Sequence, residues 1–417
     1  MKSVHFNSLA YGAFAFPLTL LALPVYVFAP QYYASRYGVP LASLGLLLLA
    51  ARLADAFLDP LLGLWIDRAG RAHRPGGHYG YFILLAAAPM AAGACALFAP
   101  PAQLASPLLW LAVSSSTVYA GASLATIAHQ SWGAALTQQA DARARLAAVR
   151  EGCGLFGVIA AALLGTQFGL PALAAIFLVA LLLTLPTLLL RAPRPATVPL
   201  QHTSWRAMLV PLRHAPFRRL FAVFIVNGIA AAIPATLFLF FVADVLRLPQ
   251  YAGAFLLLYF VAAACAMPLW VALASRHGQA RTWTGAMLLA ALVFGWTALL
   301  GPGDMLAYGL ICILSGAALG ADLALPPALL AGVIGRAGHS GQREGAYFGA
   351  WNWANKLNLA LAAGCTLPLL QLLGYVPGAT AGAGLSALAV TYAALPAVLK
   401  LAAAGLLIRA GLNEETA

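Results

Sequence analysis

The stretch from residue 44 to residue 66 reads LGLLLLAARLADAFLDPLLGLWI, and it places three charged side chains in almost unbroken hydrocarbon. Arg52, Asp55 and Asp59 are spaced three and four residues apart, so an α-helix would put them on one face. A charge at the middle of a bilayer costs roughly 2.5–3.5 kcal/mol on insertion scales, so this face must meet protein or a water-filled cavity. Carboxylate pairs in such cavities bind cations or relay protons. The stretch therefore predicts a membrane transporter with an ion site.

The composition is that of a protein that crosses the membrane many times. The chain has 417 residues, of which 63% are hydrophobic and 8% are charged, and its mean hydropathy is +0.88. Soluble domains carry about 25% charged residues, so a large soluble protein is excluded. The five cysteines lie in or beside apolar segments without a CxxC pair, which predicts neither a disulfide framework nor a metal site of that kind. The sequence contains no nucleotide-binding or hydrolytic motif, so we expect no enzyme, no cofactor and no nucleic-acid partner.

Hydrophobic segments long enough to cross a bilayer recur along the whole chain. A helix needs about 20 apolar residues to span the hydrocarbon, and Pro, Gly and charged clusters mark the breaks. We predict an all-α membrane protein with twelve transmembrane helices in two six-helix lobes. The lobes are residues 1–191 and 219–417, joined by a cytoplasmic linker at 192–218. The spans are predicted at 8–30, 41–66, 80–99, 106–136, 147–168, 170–191, 219–243, 250–274, 282–300, 305–333, 345–372 and 384–408.

Basic residues are distributed unevenly over the predicted loops. With the N-terminus inside, the inner segments hold 18 of the 23 Lys and Arg residues and the outer segments hold two. Inner loops of membrane proteins carry this excess, so we predict cytoplasmic termini and a place in a bacterial inner membrane. The net charge of +12 then follows mostly from topology, with some attraction to anionic lipid headgroups. We expect a protein that works as a monomer among membrane lipids.

The two halves of the chain resemble each other weakly. A shift of 208 residues, about half the length, places Asp59–Leu61 on Met267–Leu269. Two parallel six-helix halves are typical of secondary transporters. In the second half, Phe260, Ala263 and Met267 take the positions of the three charged residues. We therefore expect the ion chemistry in the first half.

Two motifs resemble those of known transporters. Gly63-x-x-x-Asp67-Arg68-x-Gly70-Arg71-x-x-Arg74 resembles the loop signature of the major facilitator superfamily. Arg52-x-x-Asp55-Ala56-x-x-Asp59-Pro60-x-x-Gly63 resembles the second helix of the glycoside–pentoside–hexuronide:cation symporters, the melibiose permease group. Further matches lie at residues 143–151 and 342–348. The resemblance implies the major facilitator fold and cation-coupled transport by alternating access.

The resemblance also implies a cation site. Asp55 and Asp59 match the family's ligands for Na+, Li+ or H+, and Ser123 falls near a hydroxyl that contributes in the melibiose permease group. Lys356 matches a family lysine of the eleventh helix, which implies a charge link between the halves. The alternative for the two aspartates is an internal ion-pair lattice with Arg52 and Lys356.

Two other charged residues lie within predicted spans. Asp322 is either a second proton site or a partner of Arg52 or Lys356, and we group these three residues as a charge network. Lys400 lies nearer the inner end of the last span. There we expect its side chain to snorkel toward the interface.

Polar and aromatic residues near or within the fourth, fifth and eleventh spans are candidates for solute binding. His129 could titrate during transport or form a packed hydrogen bond, and the tryptophans could stack on a sugar ring or pack in the core. Asparagines at a three-residue step predict a polar stripe that lines the cavity or bonds between helices. The candidates are Thr126, His129, Gln130, Trp132, Arg150, Trp351, Asn352 and Asn355.

The sugar-site acids of the melibiose permease group are missing here. The first-helix Lys-Asp pair reads Pro17-Leu18, and the fourth-helix aspartate falls on Thr126. Cation-coupled symport of a glycoside, sugar or sugar acid is the first hypothesis. The apolar replacements favour an alternative, the transport or export of an amphipathic, lipid-like or drug-like molecule. A membrane sensor without transport is a third.

The charged loop after the second span predicts a conformational gate. Asp67, Arg68, Arg71 and Arg74 could clamp the inner gate in one state and release it in the other. The alternative is a topology signal alone.

Overall fold

The described part of the chain is built from helices. The computed structural model describes residues 8–22, 24–25, 29–39, 41–68, 77–137, 139–195, 209–340, 342–375 and 382–412, and these ranges contain no strand. The first six helices are α1 (Ala15–Leu20), α2 (Ala29–Tyr37), α3 (Leu41–Arg68), α4 (Gly77–Phe98), α5 (Pro107–Ala135) and α6 (Ala140–Arg191). The others are α7 (Val210–Arg213), α8 (Ala215–Phe240), α9 (Ala252–His277), α10 (Gln279–Thr297), α11 (Met305–Arg336), α12 (Glu344–Leu372) and α13 (Ala383–Ala410).

Several of these helices are long and apolar enough to cross a membrane. Among the described residues seven segments qualify, and most contain an internal proline. Proline is tolerated in membrane helices because neighbouring groups satisfy the freed backbone atoms. The seven are Gly77–Phe98, Pro107–Ala135, Gly169–Arg191, Ala215–Val245, Pro249–His277, Met305–Arg336 and Ala383–Ala410.

Helix α6 is kinked at the position where the sequence predicts the boundary between two spans. Gly169 has φ +75°, which is not helical. Glycine adopts positive φ without a steric penalty because it has no Cβ. The kink therefore separates the fifth and sixth predicted spans at the expected residue.

The chain divides into two compact units. The first unit contains residues Met1–Pro211 and Ile334–Trp353, and the second contains Leu212–Val333 and Ala354–Ala417. The first part of α12 thus lies in the first unit and its remainder in the second. The predicted division at 191 and 219 stays a prediction, and residues 196–208 of the predicted linker lie outside the described residues.

Small residues allow close helix packing in the first unit. The Thr19 hydroxyl donates to the carbonyl of Gly154 at 2.6 Å, which ties α1 to α6. A Cβ on Gly93 of α4 would lie 2.9 Å from the backbone nitrogen of Val118 on α5. Membrane helices commonly associate through such small residues, because lipid supplies little hydrophobic force between helices. Helix α4 therefore packs closely on α5, and α5 in turn packs against α3.

The second unit combines a glycine contact with an aromatic core. A Cβ on Gly316 of α11 would lie 2.2 Å from the carbonyl oxygen of Tyr259 on α9. Phe241, in a π-helical turn at Phe241–Val245, stacks on Tyr392 with ring centroids 4.2 Å apart. The hydroxyls of Tyr308 and Tyr392 are 2.8 Å apart. These contacts hold α8, α9, α11 and α13 around a common interior.

Candidate functional site

The predicted cation ligands lie together inside the first unit. Asp55 and Asp59 are one turn apart on α3, and both are buried. The hydroxyl of Ser123 on α5 donates to Asp55 Oδ1 at 2.7 Å. The structure thus brings together two carboxylates and a hydroxyl, which are hard oxygen groups of the kind that Na+ prefers. The side chain of Arg52 lies outside the described residues.

Helix α3 is held tightly against the first part of α12. A Cβ on Gly63 would lie 2.0 Å from the carbonyl oxygen of Gly345, and a Cβ on Gly349 would lie 2.7 Å from the carbonyl oxygen of Asp59. Only glycine permits this approach, because any side chain would collide with backbone atoms. The backbone of Asp59 is therefore part of a helix contact as well as of the candidate ion site.

Asp67 caps the N-terminus of α12. Its carboxylate accepts hydrogen bonds from the backbone N–H groups of Gly345 at 2.9 Å and Ala346 at 2.8 Å. A negative charge at a helix N-terminus is favourable, because the first N–H groups have no partner within the helix. Next to this contact, Glu344 is buried and accepts a hydrogen bond from the Tyr79 hydroxyl at 3.1 Å.

Asp67 lies just beyond the predicted span 41–66, and its burial makes the charged form of its carboxyl group less favourable. Loss of solvent raises the pKa of Asp67 well above its usual value, and the neighbouring Glu344 carboxylate raises it further. The two backbone N–H donors and Arg343 oppose this rise. The negative charge of Glu344 thus makes a second negative charge on Asp67 less favourable. Of the predicted gating cations, Arg68 is exposed, whereas Arg71 and Arg74 lie outside the described residues.

The structure places His129 in a packed hydrogen-bonded pair. His129 Nε2 is 2.9 Å from the carbonyl oxygen of Tyr11, and the Tyr11 hydroxyl donates to the carbonyl of His129 at 2.9 Å. Both residues are almost completely buried. This reciprocal contact between α5 and the segment before α1 favours the packing interpretation of His129 over the titrating one.

Trp132 and Trp351 are buried, which favours their interpretation as core residues. Trp132 donates its ring N–H to the carbonyl of Pro193 at 2.8 Å. In contrast, the amide of Asn352 donates to Gln130 Oε1 at 2.7 Å, and both side chains are partly exposed. Gln130 and Asn352 therefore form a partly exposed polar contact between α5 and α12 within the first unit.

The remaining solute candidates lie apart from each other. Thr126 is partly exposed on α5, three residues after Ser123. Arg150 is buried on α6 and donates from Nε to Glu151 Oε1 at 3.0 Å. Asn355 is exposed and Lys356 is partly buried on α12 in the second unit. Thr126, Gln130 and Asn352 thus share the first unit with the two aspartates, whereas Asn355 does not.

The second unit contains an ion pair that the sequence did not predict. Lys400 is almost fully buried on α13, and its ammonium group contacts the carboxylate of Asp322 on α11. The expectation that Lys400 snorkels to the interface is therefore wrong, because a buried anion holds its charge inside the unit. Asn227 and Trp283 also contact Asp322, at 3.1 Å and 2.7 Å.

Sequence reasoning missed these partners for a physical reason. Asn227 is a lone amide within the apolar run FIVNGIAAAI, which is a signal for a buried hydrogen bond. Its partner Lys400 is 173 residues away in the chain. Helical periodicity assigns residues to faces but does not say which face meets which helix, so the pairing depends on the tertiary structure.

Comparison with known families and structures covers nearly the whole chain. The family model described as MFS/sugar transport protein matches residues 8–414. No curated protein sequence matches the chain. A bacterial homologue of the iron transporter ferroportin, solved in an outward-facing state, is 15% identical with a TM-score of 0.71, and the match covers 98% of each chain.

Two further solved transporters share the fold. The human organic anion transporter MFSD10 is 18% identical with a TM-score of 0.62, and the match covers 98% of this chain and 97% of that chain. The fucose:proton symporter of E. coli is 16% identical with a TM-score of 0.66, and the match covers 96% of this chain and 98% of that chain. At these identities the likeness establishes the fold.

These matches confirm the predicted all-α membrane protein with the major facilitator fold. The protein is an integral membrane transporter of a small-molecule substrate, and it is not an enzyme. Membership of the narrower glycoside–pentoside–hexuronide group stays a prediction. The chain belongs to the MFS/sugar transport protein family of the major facilitator superfamily.

Proposed function

We propose that the protein is a secondary transporter that couples the movement of a small organic solute to a cation bound at Asp55 and Asp59. The observation that carries this proposal is the burial of both carboxylates on α3, with the Ser123 hydroxyl 2.7 Å from Asp55. Ionisable residues inside a membrane protein usually mark ion pathways or coupling sites. The coupling ion is Na+, Li+ or H+, and no cofactor takes part.

The mechanism follows from the repulsion between neighbouring carboxylates. Negative charges on two carboxylates one helical turn apart repel each other. A cation or proton relieves this repulsion and lowers the cost of closing the site away from water. Ser123 contributes its hydroxyl oxygen as a further ligand for a hard cation. Arg52 and Lys356 remain predicted members of a charge network around this step, whereas Asp322 has its ion-pair partner, Lys400, within the second unit.

Helix α3 provides a physical link from the ion site to a gate. Asp67 lies eight residues after Asp59, about 12 Å along the helix axis, and it caps the first turn of α12. A change in the position of α3 on ion binding would therefore form or break the hydrogen bonds between Asp67 and the first turn of α12. We propose that this contact, with the charged loop Arg68, Arg71 and Arg74, opens and closes the cytoplasmic side during alternating access.

The solute is proposed to bind beside Thr126, Gln130 and Asn352 in the first unit. These groups are partly exposed, and they are hydrogen-bond donors and acceptors suited to hydroxyl groups. The resemblance to the glycoside–pentoside–hexuronide:cation symporters supports a glycoside, sugar or sugar acid. Both termini would be cytoplasmic in a bacterial inner membrane, with the monomer as the working unit.

A second candidate is the transport or export of an amphipathic, lipid-like or drug-like molecule. It is favoured by Pro17, Leu18 and Thr126, which stand where the melibiose permease group carries charged residues at the sugar site. A solute screen on the purified protein separates the two. Sugars or sugar acids that raise Tm in the presence of the coupling ion support the first candidate. Stabilisation by lipid-like molecules alone supports the second.

The ion site is tested by thermal stability against Na+, Li+ and pH, since a ligand that binds the folded state stabilises it. Asp55→Asn and Asp59→Asn are compared with wild type and with Asp141→Asn, an exposed acid at the start of α6. We expect a Na+ or Li+ shift in wild type and in Asp141→Asn that both site variants lose. A pH response that depends on Asp55 and Asp59, without a metal-ion shift, indicates proton coupling. Absence of both responses in folded wild-type protein would contradict the proposal.

A further inference from the structure

Four helices of the second unit converge on one buried carboxylate. Asp322 Oδ1 accepts hydrogen bonds from the amide of Asn227 at 3.1 Å and from the ring N–H of Trp283 at 2.7 Å. Asp322 Oδ2 accepts one from the ammonium group of Lys400. The participating elements are α8, α10, α11 and α13, so this cluster joins helices that are distant in the chain.

The ammonium group of Lys400 is bound by two kinds of oxygen. It donates to the carboxylate of Asp322 and also to Asn227 Oδ1 at 2.8 Å. The Lys400 side chain is 2% exposed and that of Asp322 is 12% exposed. A carboxylate oxygen and an amide oxygen are also the oxygen types that bind alkali cations and small ammonium ions. The oxygens of Asp322 and Asn227 are therefore two ligands of the kind that a monovalent cation needs, and the ammonium group of Lys400 is the cation that they bind.

Lys400 is buried far from the end of its helix. It lies ten residues before the end of α13, about 15 Å along the helix axis, and its charged group points into the unit. The neutral phenol of Tyr259, on α9, lies in the neighbourhood of Asp322. Asn227 and Trp283 contribute no formal charge, so the described cluster contains one acid, one base and one neighbouring phenol. The ion pair is neutral as a whole, which keeps a net charge out of the membrane interior.

We propose that Lys400 is a tethered cation, whose ammonium group permanently fills a monovalent cation site formed by Asp322 and Asn227. The second unit then keeps a constant charge and takes no ion from solution. If the proposed function of the first unit is correct, a consequence is that ion coupling is confined to Asp55 and Asp59. Only this consequence depends on that function, because the tethered-cation site is defined by contacts within the second unit.

Removal of the tether tests the site directly. Lys400→Ala leaves the carboxylate of Asp322 without its ammonium partner and opens space for a small ion. Breaking a buried pair in this way is strongly destabilising, and we expect Tm to fall by about 5–10 °C. Methylammonium, which retains the charge and three N–H donors of the lost group, should restore a large part of this loss. Tetramethylammonium carries the same charge without N–H donors and should restore little.

Two variants serve as controls for this experiment. Lys400→Ala with Asp322→Asn removes both charges, so its Tm should lie above that of Lys400→Ala and should not respond to methylammonium. Arg409→Ala removes an exposed cation from the last turn of the same helix and should respond no more than wild type does. Each measurement reports the folded state of the purified full chain and needs no transport assay.

The response of Lys400→Ala to methylammonium decides whether Lys400 is a tethered cation. A folded Lys400→Ala protein that shows no methylammonium response, or that responds equally to tetramethylammonium, would overturn it. If Lys400→Ala does not fold, the double variant Lys400→Ala with Asp322→Asn decides. A double variant that also fails to fold would contradict the proposal, because removal of both charges should relieve the unpaired carboxylate. If the folded wild-type protein shows neither a Na+ or Li+ response nor a pH response that depends on Asp55 and Asp59, the proposed function is refuted while the methylammonium result stays unchanged.

Discussion

The two units bury their carboxylates beside different partners. In the first unit Asp55 accepts a hydrogen bond from a hydroxyl, that of Ser123, whereas in the second unit Asp322 accepts one from an ammonium group, that of Lys400. A hydroxyl lowers the energy of a carboxylate without cancelling its charge, and an ammonium group cancels it. This difference teaches that a buried acid whose charge is cancelled by an ammonium group of the same chain is poorly suited to exchange an ion.

The largest expected loss of stability comes from adding a methyl group at a tightly packed glycine, and it compares the helix packing of the two units. In Gly63→Ala the new Cβ would meet the backbone oxygen of Gly345 at 2.0 Å, and backbone cannot move aside. Overpacking of this kind costs about 1–3 kcal/mol, and we expect a value near the upper end. In the second unit, the Cβ of Gly228→Ala meets a side-chain atom, Asn358 Nδ2, at 2.0 Å. That amide can rotate, so the loss should be smaller.

Both variants are measured by thermal or denaturant unfolding in the same detergent. Gly152→Ala is the control, because a Cβ at Gly152 meets nothing within 4 Å. Equal losses for Gly63→Ala and Gly228→Ala would show that the contact between α3 and α12 is no more rigid than the side-chain contact in the second unit.

An intermediate effect is expected from the hydroxyl that distinguishes the first site. Ser123→Ala removes the donor to Asp55 and one candidate cation ligand. A loss of about 1.4 kcal/mol in binding corresponds to tenfold weaker affinity, and we expect this magnitude for Na+ or Li+ measured by titration calorimetry. Ser115→Ala is the matched control on the same helix, since its hydroxyl bonds to the carbonyl of Leu111 within α5.

The control should bind the ion as wild type does. If Ser123→Ala also binds with unchanged affinity, the hydroxyl is a packing partner of Asp55 and the proposed ligand set is wrong. A proton-coupled site would show the loss instead as a changed pH dependence of solute binding.

The smallest effect concerns the pH dependence that Asp67 gives to the first unit. Because its pKa is raised in the folded state, the folded protein binds a proton more tightly than the unfolded chain does. Stability is therefore greatest below the ordinary aspartate pKa, near 3.9, and decreases as the pH rises from there through the raised value. We therefore expect Tm to fall as the pH rises through this range.

Asp67→Asn removes this titration and should flatten the corresponding part of the stability curve. The measurement is Tm against pH for wild type and variant, with Asp141→Asn as an exposed-acid control. Parallel curves for wild type and Asp67→Asn would show that the cap on α12 does not couple to a proton.

The sequence indicates a candidate ion site because its signal is local. Asp55 and Asp59 stand out as charges within an apolar run, and helical periodicity places them on one face. Ser123 came from the resemblance to a transporter family, and the structure brings its hydroxyl to Asp55. The break at Gly169 was also predictable, since the apolar run there exceeds the length of one span.

Other features were not predictable from local signals. The tight contact between Gly63 and Gly345 joins segments that the sequence assigns to different halves. His129 gave two equal interpretations, and only the position of the Tyr11 carbonyl favours packing. The snorkelling expectation for Lys400 was wrong, because it considered the depth of the residue but not its neighbours.

The sequence by itself determined that this protein is a helical membrane transporter, and it determined where the buried charges lie along the chain. Hydropathy, span length and loop charge are properties of consecutive residues, and the bilayer selects on them directly. The tertiary structure decided which partner each charge has: a hydroxyl for Asp55, two backbone N–H groups for Asp67, and the ammonium group of Lys400 for Asp322. These partners are 68 to 279 residues away in the chain, so they meet only when the helices pack.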